Sequence, residues 1–189
     1  MRSVFNAFST FTDPIISNSN NDIRNSSHLV LPGVGSFSRA MTNINSKIDV
    51  DEVKEQVGLG KLFLGICVGM QVLATIGYEF EKTNGLGIIE GEVVSMDSHS
   101  ESLPHVGWNS VEQQRTSELF NGIPDNKDFY FLHSYKFQTQ NQSNQLGLTN
   151  YGQPFISVFN EQNIFGVQFH PEKSQSHGLK LLRNFSRMQ

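Results

Sequence analysis

Residues Lys61–Ile66 (KLFLGI) form an apolar run of strand length. They pass without a linker into Cys67-Val68-Gly69 and then into Met70, Val72, Leu73 and Ile76 at helical spacing. A strand that turns straight into a helix is the joint of an α/β unit, because the helix must then pack back across the strand before it. The joint reads Gly65-Ile66-Cys67-Val68-Gly69, a cysteine with a glycine two residues to either side. This is the pattern of a nucleophile elbow, with cysteine where α/β-hydrolases carry serine. The glycines allow the close chain approach of so sharp a turn, and the helix N-terminus favours a thiolate and an oxyanion. A buried cysteine in a glycine-rich turn would present the same five letters, so the pattern alone leaves both readings open.

Apolar runs predict further strands at His28–Pro32, Phe129–His133, Phe155–Phe159 and Ile164–Phe169. Helices are predicted over Ser36–Ile44, with Ser36 as N-cap, and over Asp51–Val57, Gly69–Ile76 and Gly178–Met188. Ser17–Ser27 and Gln138–Gln145 are polar and read as surface loops, and Leu86–Val111 reads as a smaller sheet extension. Strand and helix alternate in the early half. The expected fold is therefore α/β, a mainly parallel open sheet flanked by helices. No repeat or linker interrupts the 189 residues, so a single domain over 1–189 is expected.

Two further segments carry chemistry. In Phe169-His170-Pro171-Glu172, a histidine ends an apolar strand and a carboxylate follows across a proline. A base oriented by a carboxylate is what a thiol nucleophile needs, although a strand-end surface pair would read the same. Leu31-Pro32-Gly33-Val34-Gly35-Ser36 runs from a strand into a glycine turn whose backbone N–H groups could form half of an oxyanion hole. Val68, the residue after the cysteine, would supply the other N–H. The order of cysteine, histidine and then acid differs from that of serine α/β-hydrolases, which place the acid first.

The single cysteine excludes an internal disulfide and a cysteine-based zinc site. A net charge of −4 without a basic stretch argues against nucleic acid or an anionic membrane as partner. No apolar run approaches the ~20 residues of a membrane helix, and no signal-peptide pattern opens the chain. A cytoplasmic location is therefore expected, and the chemistry needs no cofactor.

Seven blocks, LVLPGVGSF, LGICVGMQVL, GLGIIEGEVV, PHVGWN, FYFLHSY, FGVQFHPEKS and GLKLLRNF, stand in the order found in class I glutamine amidotransferases. The chain resembles that family along nearly its whole length. PGVG, PHVGWN and Lys173 after the glutamate resemble the glutaminase subunits of imidazole glycerol phosphate synthase. The resemblance implies that Cys67 attacks glutamine, that His170 is general base and then acid, and that Glu172 holds it. It implies that Val34, Gly35 and Val68 line the oxyanion site, and that Gln71 with the backbone at Ser134 and Tyr135 holds the substrate's amino-acid end. It places Trp108, Asn109, Tyr130 and Lys173 against a partner synthase of (β/α)₈-barrel type, which receives the ammonia in a heterodimer. His133 reads as structural, since a base is already assigned.

Two other functional readings stand beside this one. A paralogue of the same chemistry would supply ammonia to a surface-sugar amidotransferase, and a non-catalytic subunit would only support its synthase. One departure from the family concerns the start. Family members carry an apolar strand and a glycine- and asparagine-containing loop ahead of Arg2-Ser3-Val4, about a dozen residues in all, so the sheet is expected to lack its first strand.

Overall fold

The computed structural model describes residues 2–97 and 101–189. Helices α1 (Arg2–Phe8) and α2 (Asn20–Asn25) precede strand β1 (His28–Gly33). Helices α3 (Phe37–Lys47) and α4 (Val50–Gly58) lead to β2 (Leu62–Cys67) and the single-turn helix α5 (Val68–Gln71). A run of strands follows: β3 (Ile76–Gly77), β4 (Thr83–Asn84), β5 (Glu92–Ser95), β6 (His105–Gln113), β7 (Lys127–His133), β8 (Tyr135–Gln138), β9 (Gln145–Tyr151), β10 (Gln153–Glu161) and β11 (Ile164–Val167). Helix α6 (Gln175–Phe185) comes last.

The larger sheet has the order β1-β2-β11-β10-β9-β6-β7. Its parallel part is β1-β2-β11, the three strands that carry the PGVG turn, the cysteine elbow and the approach to His170. The other pairings are antiparallel. The tight connections at Gly152 and at Gln162–Asn163 permit no other direction. Strands β4-β3-β5-β8 form a second, smaller sheet. The strand-rich segment Leu86–Val111 thus divides between the two sheets: β5 joins the small one and β6 the large one. Residues 98–100 within that segment lie outside the described residues.

Phenylalanine dominates the core. Phe37, Phe129, Phe131, Phe137, Phe159, Phe169 and Phe185 are all essentially inaccessible, each contributing about 1.5–3 kcal/mol by burial. Phe129 and Phe169 stack with centroids 4.1 Å apart, which fixes the strand end just before His170 against β7. Among the described residues no helix is long and apolar enough to cross a membrane.

Strand β1 is the sheet edge. All six of its residues are half-buried, whereas five of the six in β2 are buried. A groove of about 460 Å³ opens along this region, lined by Val4, Phe8, Ile15, Leu29, Leu31 and Phe185 among others.

Three local expectations are corrected. The helix expected over Gly69–Ile76 stops at Gln71. The next carbonyls are taken by tertiary partners: Val72 accepts from the Leu86 N–H, Leu73 from Ile88 and Ile89, and Ala74 from Gly87. Ile76–Gly77 then enters the small sheet. The expected loop Ser17–Ser27 contains α2, whose N-cap Ser19 accepts from the Asp22 N–H. Ser36 sits at the N-cap of α3 but makes no side-chain cap bond. The Glu79 carboxylate accepts from the Phe37 N–H instead, at 2.7 Å, so an acidic group from a distant loop does the capping.

Candidate active site

Cys67 ends β2 with φ 55° and ψ −116°, a left-handed conformation at a non-glycine residue. Such a conformation costs of order 1–3 kcal/mol and persists only where the surroundings impose it. Here they do. A β-carbon on Gly69 would lie 1.8 Å from the Leu31 carbonyl oxygen, and one on Gly65 would lie 2.6 Å from the Gly69 carbonyl oxygen. The start of α5 is thus pressed against both β1 and β2, and the turn at Cys67 has no room to relax. The side chain is nearly buried, with Sγ 4.0 Å from the Leu132 carbonyl oxygen and 3.9 Å from the Gln168 amide nitrogen.

His170 reaches the same place from the neighbouring strand. β11 pairs with β2 up to Val167 and Ile66, and the chain runs on three residues to His170. The His170 N–H donates to the Tyr130 carbonyl at 2.8 Å, and its own carbonyl accepts from the Ser174 hydroxyl at 2.6 Å. Its Nδ1 lies 3.0 Å from the Glu172 carboxylate, both side chains being about 95% shielded from solvent. A carboxylate only accepts, so Nδ1 carries the proton, and Cys67 is the other side chain that acts on the ring.

Burial disfavours the charged ring. Hydrogen bonding with Cys67 and Glu172, together with their charges, outweighs it and pushes the His170 pKa up from 6.5 to about 9. Burial likewise opposes charge on Glu172, but the His170 hydrogen bond and charge hold its carboxyl below the usual carboxylate range.

A pH signature follows from these two shifts. The raised His170 pKa contributes stability that is full below 6.5 and is lost as pH rises through about 9. The depressed Glu172 pKa contributes stability that is present above 4.5 and is lost as pH falls. Glu172→Gln is therefore expected to cost about 1–3 kcal/mol. The wild-type-minus-variant difference in melting should be widest between 4.5 and 6.5 and narrow towards 9. A difference independent of pH, measured by calorimetry across that range, would contradict the coupling.

The remaining expected residues gather around this pair. The loop residues Val34 and Gly35 are exposed next to Gly33, which is in register with Cys67. Val68 heads α5, where its N–H has no acceptor within the helix. The Gln71 amide nitrogen donates to the Tyr135 carbonyl at 2.9 Å and to Gln168 Oε1 at 3.0 Å. The Ser134 carbonyl accepts from the Met96 N–H.

Trp108 and Tyr130 are register partners on β6 and β7 with ring centroids 6.1 Å apart, and the Lys173 ammonium lies 5.6 Å from the Tyr130 ring centre. Trp108 is 47% exposed, so it is not a core residue, and the neighbouring register pair Val106 and Leu132 is exposed as well. This exposed apolar patch is near Cys67, since the Leu132 carbonyl is the one 4.0 Å from Cys67 Sγ. Asn109 points to the opposite face of β6, where it bonds His105 and the Asn150 carbonyl.

Sequence reasoning missed Gln168. It is fully buried and bonded to both Gln71 and Cys67. A period of two along VQFH puts Gln168 on the same side as His170, and that signal was readable.

The sequence matches the family described as glutamine amidotransferase class-I over residues 7–188. Imidazole glycerol phosphate synthase subunit HisH 1 of Methanococcus maripaludis is 41% identical over 189 residues, covering 98% of this chain and 93% of that protein. The HisH subunit of Aquifex aeolicus is 40% identical, covering 99% and 91%. Among solved structures, a glutamine amidotransferase superposes with a TM-score of 0.73 at 17% identity, covering 97% of this chain and 90% of the other. The PurLQS structure from Thermotoga maritima gives 0.67 at 16% identity, covering 98% and 91%. At these identities the structural likeness speaks for the α/β fold.

Proposed function

Because the chain belongs to the class I glutamine amidotransferase family, we propose that it is the glutaminase subunit of imidazole glycerol phosphate synthase. In this reading it hydrolyses glutamine to glutamate and ammonia. The ammonia passes to a cyclase subunit of (β/α)₈-barrel type in histidine biosynthesis, with the two subunits forming a cytoplasmic heterodimer. The observation that carries the proposal is the Cys67–His170–Glu172 constellation at the ends of adjacent parallel strands, near an exposed apolar patch. Relatives named HisH match at 40–41% identity along nearly the whole chain, which supports this branch.

Each step has a residue to perform it. The Cys67 thiolate attacks the side-chain amide carbon of glutamine. The backbone N–H groups of Val68 and of the Val34–Gly35 loop receive the developing oxyanion. Gln71 and the backbone at Ser134 and Tyr135 hold the amino-acid end. The His170 imidazolium gives its proton to the departing nitrogen, so ammonia leaves and a glutamyl thioester remains. His170, now neutral, takes a proton from water as it attacks the thioester, releasing glutamate and restoring the thiolate–imidazolium pair. Glu172 stabilises the charged ring throughout. The single unit over residues 1–189 acts as one glutaminase domain, and the intact constellation weighs against a purely supporting subunit.

The test is to measure glutaminase turnover for the chain alone and with the barrel partner present. An incomplete oxyanion hole costs ~10²–10³-fold, so stimulation of that order is expected if the partner completes the Val34–Gly35 loop. Lys173→Glu should weaken assembly or uncouple ammonia transfer, since breaking a buried charge pair from one side typically costs about 2–5 kcal/mol. Formation of imidazole glycerol phosphate from glutamine separates this assignment from a surface-sugar amidotransferase. Equal turnover with and without the partner would overturn the coupling.

A further inference from the structure

Two buried histidines outside the catalytic set form a cross-strand pair. His105 on β6 is in register with His133 on β7, and His105 Nδ1 lies 3.1 Å from His133 Nε2. His133 Nδ1 lies 2.9 Å from the Tyr135 carbonyl, and Asn109 Nδ2 lies 3.3 Å from His105 Nε2. Donor and acceptor roles follow from these neighbours. A carbonyl only accepts, so His133 Nδ1 carries a proton. An amide nitrogen only donates, so His105 Nε2 is bare and His105 Nδ1 donates to His133 Nε2. With both rings neutral, every contact is satisfied and the order of protons is unique.

The chain of hydrogen bonds does not end at Tyr135. The same carbonyl accepts from Gln71 Nε2, which also donates to Gln168 Oε1, and Gln168 Nε2 faces Cys67 Sγ at 3.9 Å. One continuous path of hydrogen bonds therefore joins Asn109, next to Trp108, with the nucleophile.

The setting makes this polarity a cost. His105 stacks on Tyr151 at 3.9 Å and on Phe131 at 4.9 Å, and His133 packs edge-on against Phe155 at 5.0 Å. Phenyl rings would fill these places without desolvating polar atoms. Burial alone drives the His105 pKa down to about 4. Burial, with the charges of His105 and His170 adding to it, takes that of His133 to about 3. Both rings thus stay neutral and keep their roles at neutral pH.

We infer that His105 and His133 are positioning residues for the glutaminase reaction: they hold the Tyr135 carbonyl, and through it the Gln71 and Gln168 amides, in the geometry that receives glutamine at Cys67. The inference deepens the function proposed above and rests on it.

The test uses the complex with its barrel partner and reads KM for glutamine separately from kcat. His105→Phe keeps the aromatic stack and removes both hydrogen bonds. His133→Leu removes the donor to Tyr135, and His133→Asn restores an N–H close to the Nδ1 position. KM should rise about tenfold in His105→Phe and His133→Leu, the scale of one lost and one orphaned hydrogen bond, while kcat falls less. His133→Asn should recover most of the loss. If His133→Leu does not melt as a folded protein, His105→Phe decides. An unchanged KM in His105→Phe, or equal losses in His133→Asn and a folded His133→Leu, overturns the inference. Failure of the functional reading looks different, because the wild-type complex itself would then hydrolyse no glutamine.

Discussion

Cys67→Ala is expected to release no measurable glutamate from glutamine, and a glutamine-mimicking electrophile is expected to label the wild-type chain at Cys67 alone. The chain has no other thiol. Loss of a covalent nucleophile typically costs about 10⁴–10⁶-fold in turnover. The substitution should leave the fold standing. Alanine meets the same positive-φ strain as cysteine, and removal of one sulfur from a small pocket costs about 1 kcal/mol, or roughly 2–4 °C in a chain of this size. The measurement is ammonia release by the complex, with a melting curve on the same preparation. Activity surviving in a folded Cys67→Ala protein, or label on another residue, would remove Cys67 from the role.

The second large effect concerns the open side of β1. A chain extended ahead of Arg2 by an apolar strand and a loop is expected to melt roughly 5–15 °C above the 189-residue form. A strand in a parallel sheet is normally covered on both faces, yet β1 is half-buried along its whole length and a groove of about 460 Å³ opens there. Ile15 and Ile16 stand 65% and 58% exposed nearby. An added strand would pair with the free edge and cover about 200 Å² of apolar surface, about 5 kcal/mol at ~25 cal/mol per Å². Ordering the added residues takes back part of that gain, leaving about 2–4 kcal/mol. Both forms should be expressed and compared by melting and by partner-stimulated turnover. Identical midpoints and rates would show that this edge needs no further strand.

The parallel half of the sheet was legible because its strands are short continuous apolar runs ending in residues with chemistry: Pro32-Gly33, Cys67 and His170. The antiparallel half was harder to read. In β6, Gly107, Trp108, Asn109 and Ser110 break the alternation, because one face carries the exposed Trp108 and the other a buried polar network. β9 begins at Gln145, inside a polar stretch that reads as loop, and its buried Thr149 and Leu146 are too few to signal a strand. Helix α2 is polar on nearly every side and shows itself only through Ser19 and Asp22 at capping spacing. α5 stops early for a reason no local pattern contains, since residues 85–89 capture the carbonyls that would continue it. The residues Cys67, His170 and Glu172, which the structure brings together, were readable from two short motifs. Gln168 was readable from its period-two spacing with His170 but was not singled out, and His105 was not, because its contact with the site runs through His133 and Tyr135 from other strands.

The position of β11 has a consequence for the newly made chain. It lies between β2 and β10 in the sheet, yet it is the last strand to be synthesised. His170 leaves the ribosome about a hundred residues after Cys67, which at ~5–20 residues per second is a delay of roughly 5–20 s. Throughout that interval the edge of β2 that will receive β11 is without its partner, a template for wrong pairing with another nascent chain. Cys67 is likewise without His170, so in the proposed reading a chain stalled before β11 emerges would be inert towards glutamine. Translation itself would then hold back the release of ammonia until the sheet that contains it is closed.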